Sequence, residues 1–493
     1  MKRTDLDMLD GQVFDVIVIG AGAVGCAAAR QLAARNFRTL LVDRGDIGAG
    51  TSSRSSRMLY SGLGYLAARY PLWQIPLRPF DMWQRLRYTR QVMQCRAELV
   101  KEMPGHLTKH RFHYPFRKQD RYPAWLVDAG FRLVEALGSW KVPLSYRRQP
   151  VERAKGQSAM AAAFGGSVQD VGMFEEYMYA WPERICVDTA LDAQWRGATI
   201  RTYTRVTDLV RTDDAWHVSL QEQAPECTGT AKVRARMVVN AAGPWVDRVP
   251  GAGGESSKRV LGIKGVNVMV RLPSAFRGQG LEAFSSKGEP FYVFPWRDHH
   301  FIGPTESEYT EDPDLVRVEE KEIDYILNEA NLLFPSLQLS RTDVLHTWCG
   351  VRPTSTLDGQ STSLPVRLSS TPGKPDLLTL TGSTIMLHRH AARMIAKAVE
   401  SRLGKRGTAP QGMIKHNMLE SNSVRDVILH EHVVRLSDLI RRRLPHGLDE
   451  SMGRDQAEDL SKAMAEVLGW SESRRLDELS HFEADTRRVY ATV

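Results

Sequence analysis

The stretch Asp15 to Arg44, DVIVIGAGAVGCAAARQLAARNFRTLLVDR, constrains the fold more than any other part of the chain. An apolar run from Val16 to Ile19 suits a strand buried on both faces. Gly20-x-Gly22-x-x-Gly25 follows, then an alanine-rich helical segment, then a second apolar run from Thr39 to Val42 that ends at Asp43. Each part has a task in holding the ADP half of a dinucleotide. Gly20 permits a tight turn, Gly22 lets backbone approach a pyrophosphate, and Gly25 lets the helix pack closely on the strand. The helix N-terminus offers free N–H groups and a partial positive charge, and Asp43 can accept hydrogen bonds from a ribose diol. The glycine pattern alone is weak evidence. In this order of strand, turn, helix, strand and acid it predicts a Rossmann-type dinucleotide site.

At 493 residues the chain can hold about three domain-sized units. Five cysteines (Cys26, Cys95, Cys186, Cys227, Cys349) are scattered with no C-x-x-C, which argues against a metal site or a disulfide framework and for a reducing compartment. The N-terminus has no apolar h-region, and no run of about 18 apolar residues occurs, so neither a signal peptide nor a spanning helix is expected. The cytoplasm is the expected location. The formal net charge of +8 favours anionic partners, but no nucleic-acid motif accompanies it, so nucleic acid is not expected. Residues 69 to 90 interleave Arg69, Arg78, Arg85, Arg87 and Arg90 with Tyr70, Trp73, Phe80, Trp83 and Tyr88. That mixture suits peripheral contact with the inner face of the cytoplasmic membrane; a surface segment packed on its own domain is the alternative. Pro71, Pro76 and Pro79 exclude one regular helix before about Phe80.

Further strands are expected at Ile200 to Leu209, Trp216 to Leu220, Val233 to Asn240 and Leu377 to Leu380, with a helix from Gly382 to about Leu403. Residues 261 to 304 alternate apolar and polar and read as an antiparallel sheet, the floor or roof of a substrate pocket. The expected fold class is α/β (α+β): a Rossmann-type FAD-binding domain (14–75, 185–250 and 345–405) interleaved with an antiparallel-sheet substrate-binding domain (76–184 and 251–344), and a C-terminal helical cap (410–493). The helical cap is a candidate for self-association into a homodimer.

Four stretches give the chain a resemblance along almost its whole length: the fingerprint, TSSRSSRMLYSGLGYL at 51 to 66, VVNAAGPWV at 238 to 246, and HTWCGVRP at 346 to 353. Weaker matches are FPWRDHHFIGPTESEY at 294 to 309 and LGWSESRRLDEL at 468 to 479. In this order of motifs the chain resembles the FAD-dependent glycerol-3-phosphate dehydrogenases, within the superfamily of D-amino-acid and glycine oxidases. The resemblance implies bound FAD as the cofactor, with no metal. It implies FAD contacts from Gly20, Gly22, Gly25, Asp43 and Arg44, then from Thr51, Ser52, Ser53, Arg57 and Gly62. Further contacts are implied from Val206, Ala242, Gly243, Gly350, Gly382, Thr384, Ile385 and Met386. A secondary alcohol on a small polyol phosphate would be oxidised to a ketone, and the electrons would pass to a quinone or similar acceptor.

Arg352 matches the arginine that the family places beside flavin and substrate, where a guanidinium can stabilise charge developing on oxygen. Other pocket positions depart from the family pattern. Gly64 stands in place of arginine, Tyr60-Ser61 in place of His-Gly, Asn267 in place of histidine, and Pro304-Thr305-Glu306 in place of Thr-Thr-Asp. Thr384 stands in place of lysine and Met386-Leu387 in place of two threonines, while Arg389 is kept. Two phosphate-holding cations are thereby lost, and Arg54, Arg57, Arg367 and His388 are the replacements nearby in sequence. Arg54, Tyr60, Arg352, Arg367 and Thr384 are the candidate substrate contacts. Asn267 can hydrogen-bond a hydroxyl but cannot act as a base, so Glu306 and His388 remain as titratable candidates, with Glu306 favoured. The small-molecule substrate can be anionic or not. An amine or amino-acid oxidase of the same superfamily and a flavoprotein without turnover stay open as alternatives.

Overall fold

A computed structural model describes residues 3–66, 72–120, 122–212, 214–251, 258–357, 360–361, 366–412 and 423–490. Arg69, Tyr70, Pro71 and the side chain of Trp73 lie outside the described residues.

The opening strand, Val13–Ile19, sits at the centre of a sheet between Thr230–Asn240 and Thr39–Val42, parallel to both. Lys374–Thr381 and Thr199–Arg201 extend the parallel set outward on either side. Alternation along the central strand sends Val16 and Val18 to one face and Ile17 and Ile19 to the other. On the first face three helices, Ala23–Ala34, Pro182–Trp195 and His388–Leu403, bury their small and branched residues against the sheet. The second face packs on the hairpin Thr204–Arg211 and Trp216–Glu222, whose Trp216 is fully buried. Both faces are thus covered, as a parallel sheet requires. The segment expected as one strand from Ile200 to Leu209 is two. Thr199–Arg201 pairs with Thr39–Val42, the chain turns at Tyr203 in the left-handed region (φ +50°), and Thr204–Arg211 pairs with Trp216–Glu222 instead.

The second sheet is mostly antiparallel. Val260–Val270 lies between Val344–Leu357 and His299–Gly303, and Pro290–Trp296 and Gln279–Phe284 continue it. Gln279–Phe284 then runs parallel to Leu107–Arg117, which pairs with Val168–Tyr179. Val266, Val268, Leu281, Ala283 and Val293 pack on the helix Glu320–Leu333 on one face. The intervening residues Asn267, Glu282 and Tyr292 line a cavity. The strand Val344–Leu357 leads the chain back toward the first sheet, yet pairs within the second along nearly its whole length.

The C-terminal helices Val424–His430, Arg454–Leu468 and Glu472–Val489 have a core of their own around Leu436, Leu439, Ile440, Met464 and Phe482. Buried ion pairs fasten them to the first unit. Asp46 accepts from Arg443 through both oxygens (2.6 and 2.7 Å), and Arg184 reaches Glu431 (2.6 and 3.0 Å). Burial alone would raise the Asp46 carboxyl, but Arg443 and Arg442 outweigh it and hold the group below its ordinary value.

Candidate active site

A cavity of about 1940 Å³ opens at the carboxyl ends of the parallel strands and is closed by the second sheet. That is about twice the upper range of an ordinary small-molecule pocket, enough for a dinucleotide with a substrate beside it. Its first wall is the glycine turn. Gly20 has φ +104°, and a Cβ there would lie 2.7 Å from the Ala241 carbonyl oxygen. On Gly25 a Cβ would come within 1.7 Å of the Gly20 oxygen, so no side chain fits between helix and strand. Gly22 faces Ser52 Oγ, which accepts from the Ala23 N–H (3.1 Å) at the helix N-terminus. Asp43 accepts from the N–H groups of Ala21 (2.6 Å) and Gly45 (2.8 Å), and burial raises its carboxyl. These two bonds aim the carboxylate along the turn and leave it on the cavity wall.

From distant segments, Val206, Ala242, Gly243, Gly350, Gly382, Thr384, Ile385 and Met386 line the same space, as do Arg44, Thr51, Ser52, Arg54 and Tyr60. Thr51–Arg54 is one tight turn; the Thr51 hydroxyl donates to the Val351 carbonyl (2.8 Å), tying the turn to the strand that carries Arg352. Arg44 pairs with Asp314 (2.7 Å) and lies over Trp245 at 5.1 Å.

Other expected residues sit apart. Ser53 is buried and donates to the Gly48 carbonyl, and Gly62 (φ +92°) packs near Tyr65, Thr89 and Val92. Arg57 does line the cavity, but its guanidinium pairs with Glu183 in a buried ion pair and covers Trp296 at 4.7 Å. Arg367 donates to the Thr356 carbonyl (3.3 Å) away from the cavity lining. His388 is buried at the start of its helix, its Nδ1 bonded to the Ile385 carbonyl, and burial with Arg389 nearby holds it down to about 3. It is a neutral structural histidine outside the cavity, which corrects its expected place as an acid–base candidate.

On the second sheet's side, Arg352 Nη1 meets Glu306 Oε1 at 2.9 Å and Nη2 donates to the Thr305 carbonyl (3.4 Å). Gly265, on the neighbouring strand, leaves the room: a Cβ there would stand 3.4 Å from Arg352 Nη2. Asn267 is buried and its Oδ1 accepts from Ser56 Oγ (3.3 Å). Sequence reasoning missed Glu282. Its Oε1 accepts from the Tyr60 hydroxyl (2.9 Å), and Tyr292 stands directly opposite on the next strand. Burial pushes this carboxyl up to about 8, against the Tyr60 hydrogen bond and with the charge of Glu176.

The match to known families decides between a glycine turn and a cofactor site: the family model described as FAD dependent oxidoreductase covers residues 15–398. This chain belongs to the FAD dependent oxidoreductase family. FAD is its cofactor, and the turn at Gly20 to Gly25, Asp43 and Ser52 form a cradle that fits the ADP half. The glycerol-3-phosphate dehydrogenase of a Synechocystis species is 28% identical, over 82% of this chain and 72% of that protein. A D-erythritol 1-phosphate dehydrogenase of Brucella abortus is 30% identical, over 78% of this chain and 73% of that one. A crystal structure of the glycerol-3-phosphate dehydrogenase from Bacillus halodurans complexed with FAD superposes with a TM-score of 0.74, covering 98% and 96% of the two chains at 18% identity. That likeness shows the fold, including the C-terminal helices. Within the FAD dependent oxidoreductases, the chain is of the glycerol-3-phosphate dehydrogenase type.

Proposed function

We propose that this enzyme oxidises the CH–OH group of a small hydroxy compound to a carbonyl and passes the electrons to a quinone or similar acceptor. The Arg352–Glu306 pair on the cavity wall carries the reading. FAD, when bound, supplies the acceptor for the hydride that leaves the carbinol carbon. Arg352 holds the substrate oxygen and stabilises the negative charge that builds on it. Glu306 takes the hydroxyl proton as the carbonyl forms. Asn267, fixed by Ser56, orients the hydroxyl from the neighbouring strand. The names of the curated relatives support a hydroxyl as the oxidised group. Glu306→Gln keeps the size of the side chain and removes the proton acceptor, so anaerobic flavin reduction slows about 10²- to 10⁴-fold while FAD content is unchanged. Stopped-flow absorbance measures both, and equal rates in the two proteins remove Glu306 from the reaction.

A further inference from the structure

Asp46 lies in the loop between Asp43 and Ser52, the two polar groups of the FAD cradle that follow the second strand. Its carboxylate faces the C-terminal helices. Both oxygens accept from Arg443 (2.6 and 2.7 Å) and one also from Arg442 (2.5 Å), and among the described residues nothing else donates to them. Arg442 reaches on through Nη2 to Asp438 Oδ1 (2.7 Å), and Asp438 Oδ2 accepts the N–H groups of Val434 and Arg435 (3.0 and 2.9 Å). All four charged side chains are buried.

A second tie reaches the same loop. Tyr203 donates its hydroxyl to Asp438 (2.7 Å) and its N–H to the Gly45 carbonyl (2.9 Å), and the Thr204 N–H meets the Asp43 carbonyl (2.7 Å). The Gly45 N–H is one of the two donors that hold the Asp43 carboxylate. Ser437, Arg442, Asp485 and Arg488 of the C-terminal unit line the cavity that the glycine turn also lines. Opposite charges buried together are stable only as a set: parting the helices from the loop leaves a carboxylate on one side and two guanidiniums on the other without partners. While the helices are docked, the loop is held in one shape before the dinucleotide arrives, so the cost of ordering it does not fall on binding. Such coupling is reciprocal, and what the docked helices add to FAD affinity, FAD adds to their docking.

We propose that Asp46 is a positioning residue for FAD, through which the C-terminal helices hold the loop from Asp43 to Ser52 in place, so that cofactor binding and the docking of these helices are coupled.

Hydrogen exchange on the full chain, with and without saturating FAD, tests this. With FAD, the helices Val424–His430 and Glu472–Val489 exchange about tenfold or more slowly, while Glu320–Leu333, which contributes nothing to the cavity lining, changes by less than about twofold. Asp46→Asn keeps the size of the side chain and leaves both arginines uncompensated. The FAD dissociation constant, read by quenching of flavin fluorescence, then rises about tenfold or more, and FAD no longer protects the C-terminal helices ahead of Glu320–Leu333. Equal protection of all three helices in the unaltered protein is general stabilisation by a bound ligand and overturns the proposal, even if the variant fails to fold. A folded Asp46→Asn protein that binds FAD as tightly as the unaltered one overturns it as well.

Discussion

Arg352 and Glu306 differ from the other titratable candidates in where their side chains end. Arg57 and Arg367 come from promising segments, but a left-handed backbone at Arg57 (φ +56°) swings its guanidinium to Glu183, and Arg367 is taken up by a backbone carbonyl. Only folding decides such directions. For Arg352 the fork geometry matters, since it holds Glu306 through one nitrogen and a carbonyl through another. Arg352→Lys keeps the charge and loses the fork, so kcat/KM for the reductive half-reaction falls about tenfold to a hundredfold, as steady-state and rapid-mixing kinetics would show. An unchanged value would mean that the arginine acts only as a point charge. Glu282 was illegible for a different reason. In the alternation Leu281-Glu282-Ala283 a polar residue reads as facing solvent, and its two partners, Tyr60 and Tyr292, are far away or on another strand.

The first strand, turn, helix and second strand were readable as an element group because the glycines, the helix start and Asp43 follow one another within one short stretch, Asp15 to Arg44. Gly25's reason is the Gly20 oxygen a few residues back, while Gly20 meets the adjacent strand's end at Ala241 and Gly22 meets Ser52. The break at Thr202 and Tyr203 was not readable, because nothing in that β-rich run marks where one strand leaves the sheet; the Tyr203 hydroxyl is anchored on Asp438 from the C-terminal helices (2.7 Å). The proline-bounded segment before Phe80 behaves as its composition implies: the long helix starts at Pro79 and runs to Glu102. Leu77, Phe80 and Trp83 are exposed there, Phe80 stacks on Trp83 (6.2 Å), and Arg87 lies over the Trp83 ring (5.4 Å). No helix among the described residues is long and apolar enough to cross a membrane. We propose that this patch makes reversible contact with an anionic lipid surface, where a quinone is within reach. Replacing Phe80 and Trp83 together by serine lowers cosedimentation with anionic vesicles about tenfold at low salt and leaves flavin reduction in solution unchanged; undiminished cosedimentation would refute the contact.

At the scale of the whole molecule, five buried histidines among the described residues make the fold sensitive to acid. Burial holds His113 and His300 down to about 4, and His346, His388 and His432 down to about 3. These groups stay neutral in the fold, whereas in the unfolded chain they protonate near about pH 6.5. Their contribution to stability is therefore complete above about pH 6.5 and is lost progressively as the pH falls, at up to about 2 kcal/mol per histidine by pH 5. Asp46 acts in the same direction only at still lower pH, where its ion pairs to Arg442 and Arg443 fail. Scanning calorimetry should show the thermal midpoint falling steadily from about pH 6.5 to 5, and a midpoint constant over that range would contradict this account of the buried rings. The two-sheet plan was legible because each sheet announces its period in sequence. How the C-terminal helices join it was not, since Asp46 and Arg443 are distant in sequence and each reads alone as a surface charge.

The central claim is that one cavity holds FAD and a hydroxy compound in position for hydride transfer, and anaerobic mixing of the purified flavoprotein with a panel of small alcohols tests it most directly. Loss of the visible flavin absorbance with one carbonyl product formed per flavin is the predicted result. A protein that takes up no FAD, or a flavin that no alcohol in the panel reduces, would contradict it.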